Sequence, residues 1–149
     1  MMNLSGAIEL FRSSFFQKKY IYYRSQLVDV SDCVSSGSYE IDVVKVNYEV
    51  AKVLRNIRSF LIKNFKLDYD FKLPLNSLYR PVFSVLGKEI DYKDVYDSFG
   101  HWTGFAIDVS FPVFCGRTGR SEYLFRQILL DNGFEQPFRD EVWHFRYKK

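Results

Sequence analysis

Residues 100–111 read GHWTGFAIDVSF, and this stretch leaves little choice of local structure. Phe105, Ile107, Val109 and Phe111 alternate with Ala106, Asp108 and Ser110. An extended chain therefore places four large apolar side chains on one face and a carboxylate between two small neighbours on the other. The pattern predicts a half-buried strand over 105–111, ended by Pro112. Such a strand needs a sheet around it and other elements over its apolar face. Just upstream stands His101, one of only two histidines in the chain. The other, His144, lies in DEVWHFRY (residues 140–147), which reads as a strand from 142 to 147 and holds a second carboxylate, Glu141, close by.

Strand parity decides how these groups can meet. His101 and Asp108 are seven residues apart, so on one straight strand they face opposite ways. A turn must intervene, and Gly104 has the backbone freedom for it, with His101 on a loop and Asp108 on the strand. Glu141 and His144, three apart, have the same problem. It is solved if Glu141 sits at the strand entrance or on a bulge while His144 lies within the strand. Zinc takes imidazole nitrogen and carboxylate oxygen, and a catalytic zinc keeps one position open. His101, Asp108 and His144 supply three protein ligands. Glu141 is better placed as a base beside the metal than as a fourth ligand. On spacing alone, a hydrogen-bonded structural His–Asp pair and a chance ExxH stay open as the alternative.

Elsewhere the periodicity changes. Leu4, Ala7, Ile8, Phe11, Phe15 and Phe16 predict a helix over 4–20, and the β-rich residues 20–23 and 26–30 predict short strand. Four serines and a glycine in 31–38 predict a loop. Val43, Val46, Val50, Val53, Leu54, Ile57, Leu61 and Phe65 predict a long amphipathic helix over 41–66 whose stripe packs on the core. Pro74 precedes a strand over 75–79 that ends at Arg80-Pro81, and 82–96 is irregular with a turn at Gly87. A second amphipathic helix spans 121–131, with Ser121 as N-cap, Gly133 just past its end, and Leu124, Phe125, Ile128 and Leu129 facing the core.

With 149 residues the chain is long enough for one domain, 1–149. The net charge of +3 is spread over interleaved acids and bases, with no basic run or helix of the kind that binds nucleic acid. No segment approaches the ~18 apolar residues of a membrane span. Lys18-Lys19 follow the first apolar residues instead of preceding them, so no export signal is seen. The default expectation is a cytoplasmic monomer, with the cell envelope as the other compartment. Cys33 and Cys115 are far apart and form no CxxC; they read as reduced small hydrophobes, with a disulfide or a thiolate ligand as alternatives.

His101-x-x-Gly104-x-Ala106-x-Asp108 resembles the HxxGxAxD signature of the zinc D,D-peptidase family, which includes VanX-type dipeptidases, VanY-type carboxypeptidases and some phage endolysins. Glu141-x-Trp143-His144-Phe145 resembles the family's second signature, ExWHF, followed by a VanY-like Arg146-Tyr147. Between them, Tyr123 to Arg126 and Asn132-Gly133-Phe134 resemble the family's helix and its terminal GF. Upstream, Leu78-Tyr79-Arg80-Pro81 is similar to its GYRP segment. The likeness covers about residues 45–147 in family order. It departs from the pattern at Phe99, where the family usually has serine and Ser98 lies one residue further away. It departs again at Leu78, in place of glycine, and at Val142.

The resemblance implies that His101, Asp108 and His144 bind one Zn2+, that Glu141 is general base and then acid, and that Arg80 polarises the scissile carbonyl. Ser98 and Tyr79 would contact substrate. It also implies an α+β fold in which an antiparallel sheet carries the zinc on one face and the 41–66 and 121–131 helices cover the other, as in D,D-peptidases and Hedgehog signalling domains. The expected activity is a D-alanyl-D-alanine carboxypeptidase acting on peptidoglycan stem peptides. A D-Ala-D-Ala dipeptidase, an L-alanyl-D-glutamate endopeptidase and a non-enzymatic zinc-stabilised binding module are the alternatives.

Overall fold

The computed structural model of the chain describes residues 14–36, 44–80 and 99–148. In order they form α1 (Ser14–Ser25), β1 (Leu27–Asp29), β2 (Val34–Ser36), β3 (Lys45–Asn47), α2 (Tyr48–Phe65) and β4 (Leu73–Ser77). A 3-10 turn (His101–Thr103) follows, then β5 (Ala106–Val109), α3 (Phe111–Thr118), α4 (Glu122–Asp131), β6 (Phe134–Glu135) and β7 (His144–Tyr147). This is a mixed α+β fold with a five-stranded sheet in the order β2-β4-β5-β7-β6 and a two-stranded ribbon of β1 and β3.

The sheet was expected to be antiparallel. The β4–β5, β5–β7 and β7–β6 pairs are, but β2 joins β4 in parallel. Parallel neighbours need a long crossover, and the chain between β2 and β4 includes α2, which provides one. The serine-rich loop expected over 31–38 thus contains an edge strand. Its partner is remote in sequence, which is why local composition conceals it.

Parity sorts the sheet into two faces. Leu73, Leu75, Ile107, Val109, Phe145 and Tyr147 belong to one hydrophobic cluster with Val50, Leu54, Ile57 and Leu61 of α2, Phe114 of α3, and Phe125, Ile128 and Leu129 of α4. Phe114 and Phe125 stack at 4.3 Å, which joins the last two helices. Asp108 and His144 alternate with these core residues and so belong to the other face. Both faces of β5 are covered, however, and all four of its residues are buried rather than the expected half.

Several expectations shift. Residues 4–13 lie outside the described residues, as do 37–43, Pro81, 82–96 with Gly87, and Ser98. α1 runs to Ser25, so 20–23, expected as strand, is helical. Helical spacing brings Tyr20 and Tyr23 to one side. There Tyr23 meets Trp102 and Phe105 edge-on at 5.4 and 6.2 Å, and the Tyr20 and Tyr79 hydroxyls lie 3.3 Å apart. An aromatic's β preference is a packing preference, and here packing favours the helix.

The helix expected from 41 starts only at Tyr48. Asn47 takes an extended backbone, and its side-chain oxygen accepts from the Glu49 N–H at 2.9 Å, a cap that fixes the first turn. Val46 is buried from strand β3. β4 begins at Leu73, earlier than expected, and includes Pro74, whose carbonyl accepts from Ser110 N–H. The strand expected to reach Phe111 stops at Val109, and α3 follows at once. Pro112 stands in the first turn of that helix, where proline's missing N–H costs nothing, so it starts an element as well as ending one. α4 is capped by the Ser121 hydroxyl as expected, and Gly133 follows its C-cap. No helix among the described residues is long and apolar enough to cross a membrane.

Candidate metal centre

The turn that carries His101 is pinned on two sides. Thr103 N–H donates to Gly100 O and Gly104 N–H to His101 O, closing one tight 3-10 turn. Gly104 then takes φ 83°, the left-handed conformation that releases the chain into β5. Asn47 N–H donates to Gly104 O, and Arg80 N–H donates to His101 O. A Cβ on Gly104 would meet Leu27 Cδ2 at 2.6 Å and the Asn47 nitrogen at 2.7 Å, so the ribbon and the turn touch backbone to backbone. Tyr23 buttresses the same turn through Trp102.

Asp108 and His144 are direct cross-strand partners, and Ser77 is the partner of Asp108 on the other side. Neighbouring β-strands thus present three polar side chains at one level of the sheet. His144 N–H donates to Glu141 O at 3.1 Å. Glu141 therefore stands ahead of the strand, at the start of a turn that ends on His144, the arrangement that parity required. Glu141 is half-buried, and its carboxylate forms no hydrogen bond or ion pair among the described residues.

His101, Asp108 and His144 each bring a ligand atom within 4.8 Å of the others, and all three are buried. Asp108 Oδ1 is the focus. It lies 3.2 Å from His101 Nε2 and 2.9 Å from His144 Nδ1. Ligand atoms around a tetrahedral zinc with ~2.05 Å bonds stand about 3.3 Å apart; the two contacts of Asp108 Oδ1 lie near that value, and the three ligand atoms together lie within 4.8 Å.

The tautomer of His101 sharpens the point. Its Nδ1 lies 2.7 Å from the Leu78 carbonyl oxygen, which can only accept, so Nδ1 carries the proton. In neutral imidazole Nε2 is then a bare lone pair, and it faces a carboxylate oxygen. Two lone pairs at 3.2 Å repel unless a cation, either a proton or a metal ion, lies between them. Burial pushes the Asp108 carboxyl up. Hydrogen bonds to His101 and His144, together with their charge, outweigh it and hold the group well below the usual carboxylate range. The site is thus arranged around an ionised Asp108 that demands positive partners. A buried His101–Asp108–His144 group of this kind can hold a metal ion.

The remaining site residues fall as follows. Arg80 Nη2 donates to Asp108 Oδ2 at 2.9 Å and Nε to Ser77 Oγ at 2.7 Å, while 45% of its side chain stays exposed. Tyr79 is buried, its hydroxyl against Tyr20 of α1, and burial followed by that contact raises its pKa. Sequence reasoning missed Ser77, a buried hydroxyl in an apolar strand three residues before Arg80. The spacing was visible, but its meaning depends on the irregularity of β4 between Leu75 and Ser77. The Leu78 carbonyl that orients His101 leaves no trace in residue identity at all. Comparison of the chain with protein-family models, with curated proteins and with solved structures returns no match.

Proposed function

We propose that this chain is a zinc-dependent D-alanyl-D-alanine carboxypeptidase that trims the terminal D-Ala from peptidoglycan stem peptides. The convergence of His101, Asp108 and His144 on one buried point supports the reading, because it is the meeting that the two signature-like stretches require. The same reading assigns the fold to the D,D-peptidase type, with the metal on the sheet face opposite the helices. Two imidazoles and one carboxylate are a donor set that zinc takes when a position is left for water or substrate. A zinc ion held there supplies Lewis acidity toward a water molecule and a carbonyl.

The protein's own groups do the rest. The Glu141 carboxylate, at the entrance of β7, takes the proton of the attacking water and returns it to the leaving amine nitrogen. The Arg80 guanidinium, permanently charged and exposed at the edge of the cluster, faces the negative charge that develops on the carbonyl oxygen. His101 is held in one tautomer by the Leu78 carbonyl, so its Nε2 is ready as a ligand without rearrangement.

The test is to measure bound metal, then to follow D-Ala release from a pentapeptide stem, from free D-Ala-D-Ala and from intact sacculi. About one zinc per chain and release from the pentapeptide are expected. Cleavage of the free dipeptide alone reassigns the chain as a dipeptidase. Bound zinc with no cleavage of any of the three leaves the binding module. Glu141→Gln is expected to retain zinc and to lose activity by roughly 10²- to 10⁴-fold; full hydrolysis by that variant removes Glu141 as the base.

A further inference from the structure

The two oxygens of Asp108 have different partners. Oδ1 receives both histidines. Oδ2 receives Arg80 Nη2 at 2.9 Å, and Arg80 is itself fixed by Nε on the Ser77 hydroxyl at 2.7 Å. Ser77 is buried and directly opposite Asp108 in the sheet, so the hydroxyl, the guanidinium and the carboxylate form a closed loop across β4 and β5. Guanidinium is a planar fork, and holding it by Nε and one Nη fixes its plane as well as its position.

We propose that Ser77 and Arg80 form a clamp that reserves Asp108 Oδ2 for the protein and leaves Oδ1 as the one oxygen that Asp108 offers to a metal. The inference rests on the metal reading of His101, Asp108 and His144. Its physical basis is twofold. A guanidinium bonded to Oδ2 places a full positive charge on the side from which a second metal–oxygen bond would have to form. The hydrogen bond to Ser77 also stops the carboxylate from rotating to share both oxygens. A one-oxygen aspartate keeps the coordination number low and so preserves an open position. Ser77 is thus a positioning residue that acts through Arg80, and Arg80 has a role at the metal besides any it has toward substrate.

The test uses two variants of the full chain that keep the charge of the site. Ser77→Ala removes the anchor. Arg80→Lys keeps the cation but cannot bond Ser77 and Asp108 in one fixed plane, and Arg80 is exposed enough that its replacement spares the core. Zinc affinity is measured by competition with a chromogenic chelator, and the coordination of bound Co2+ is read from the intensity of its visible d–d bands. Both variants are expected to bind zinc about 10-fold more weakly and to show weaker cobalt bands, the mark of a higher coordination number as Oδ2 joins the metal. If wild-type protein binds zinc and cobalt but both variants match it within twofold and give the same bands, the clamp is overturned while the metal site stands. If wild-type protein binds neither ion, the metal reading falls, and the clamp falls with it.

Discussion

Cys33 is 1% exposed at the head of β2, and its backbone carbonyl accepts from Leu73 N–H. Burial, with a smaller contribution from the charge of Asp32, pushes its thiol up to about 11. Only thiolate is nucleophilic, and at pH 8 a thiol of that pKa is ionised to the order of 10⁻³. Cys115 of α3, half-buried, is the other free cysteine. A thiol reagent at pH 8 is expected to modify one cysteine per folded chain, at position 115, and the second only in denaturant. Labelling of folded Cys115→Ser at a rate like wild type would show this account of Cys33 to be wrong. Linkage has a definite sign here. The folded pKa is raised above its ordinary value of 9.0, so the contribution of Cys33 to stability is fully present below pH 9 and is lost as pH rises toward 11. At this scale the candidate ligands were legible because the chain has only two histidines, each near a carboxylate. Ser77 was not, because a serine in an apolar strand has no meaning until register places it across from Asp108.

The turn that carries His101 depends on one glycine, and a second glycine provides the contrast. Gly104 and Gly119 both adopt positive φ, 83° and 67°. Around Gly119 a Cβ would find nothing within 4 Å, whereas at Gly104 it would strike the Leu27 side chain and the Asn47 backbone. Gly119→Ala should therefore cost only the left-handed backbone penalty, ~1–2 kcal/mol. Gly104→Ala should add an overpacking cost and reach ~2–5 kcal/mol in all. Urea midpoints of the two variants check the difference; equal losses would mean that the ribbon yields to the turn and does not pin it. Gly104 was legible because parity between His101 and Asp108 demanded a turn. α3 was not, because Pro112 signals the end of a strand as strongly as the start of a helix. The helical state of 20–23 was hidden for another reason. It depends on Trp102 and Tyr79, which are remote in sequence.

On the scale of the whole molecule, the sheet keeps its apolar face for the helices and its polar face for the buried charge of Asp108. Of the helices over that apolar face, α2 and α4 were legible from their 3.6-residue stripes. The strand order was not, because the parallel β2–β4 pair joins segments separated by the whole of α2. This division of labour makes stability depend on what occupies the polar face. His101 and Asp108 meet only through the turn that separates them, and His144 lies 36 residues beyond Asp108, so the unfolded chain holds no comparable site. A metal ion that binds only the folded state adds RT ln(1 + [L]/Kd), about 2.7 kcal/mol at 100 times Kd. For a domain of this size each kcal/mol moves Tm by roughly 2–4 °C. Zinc added to chelator-treated protein should therefore raise Tm by about 5–11 °C, and calorimetry in the presence of a chelator should reverse the shift. The same titration on Asp108→Asn should give a much smaller rise, since the amide brings no charge to the point where the two imidazoles meet. A Tm that ignores zinc in wild-type protein, or an equal rise in Asp108→Asn, would place any bound zinc elsewhere and leave His101 and His144 as partners of a purely structural carboxylate.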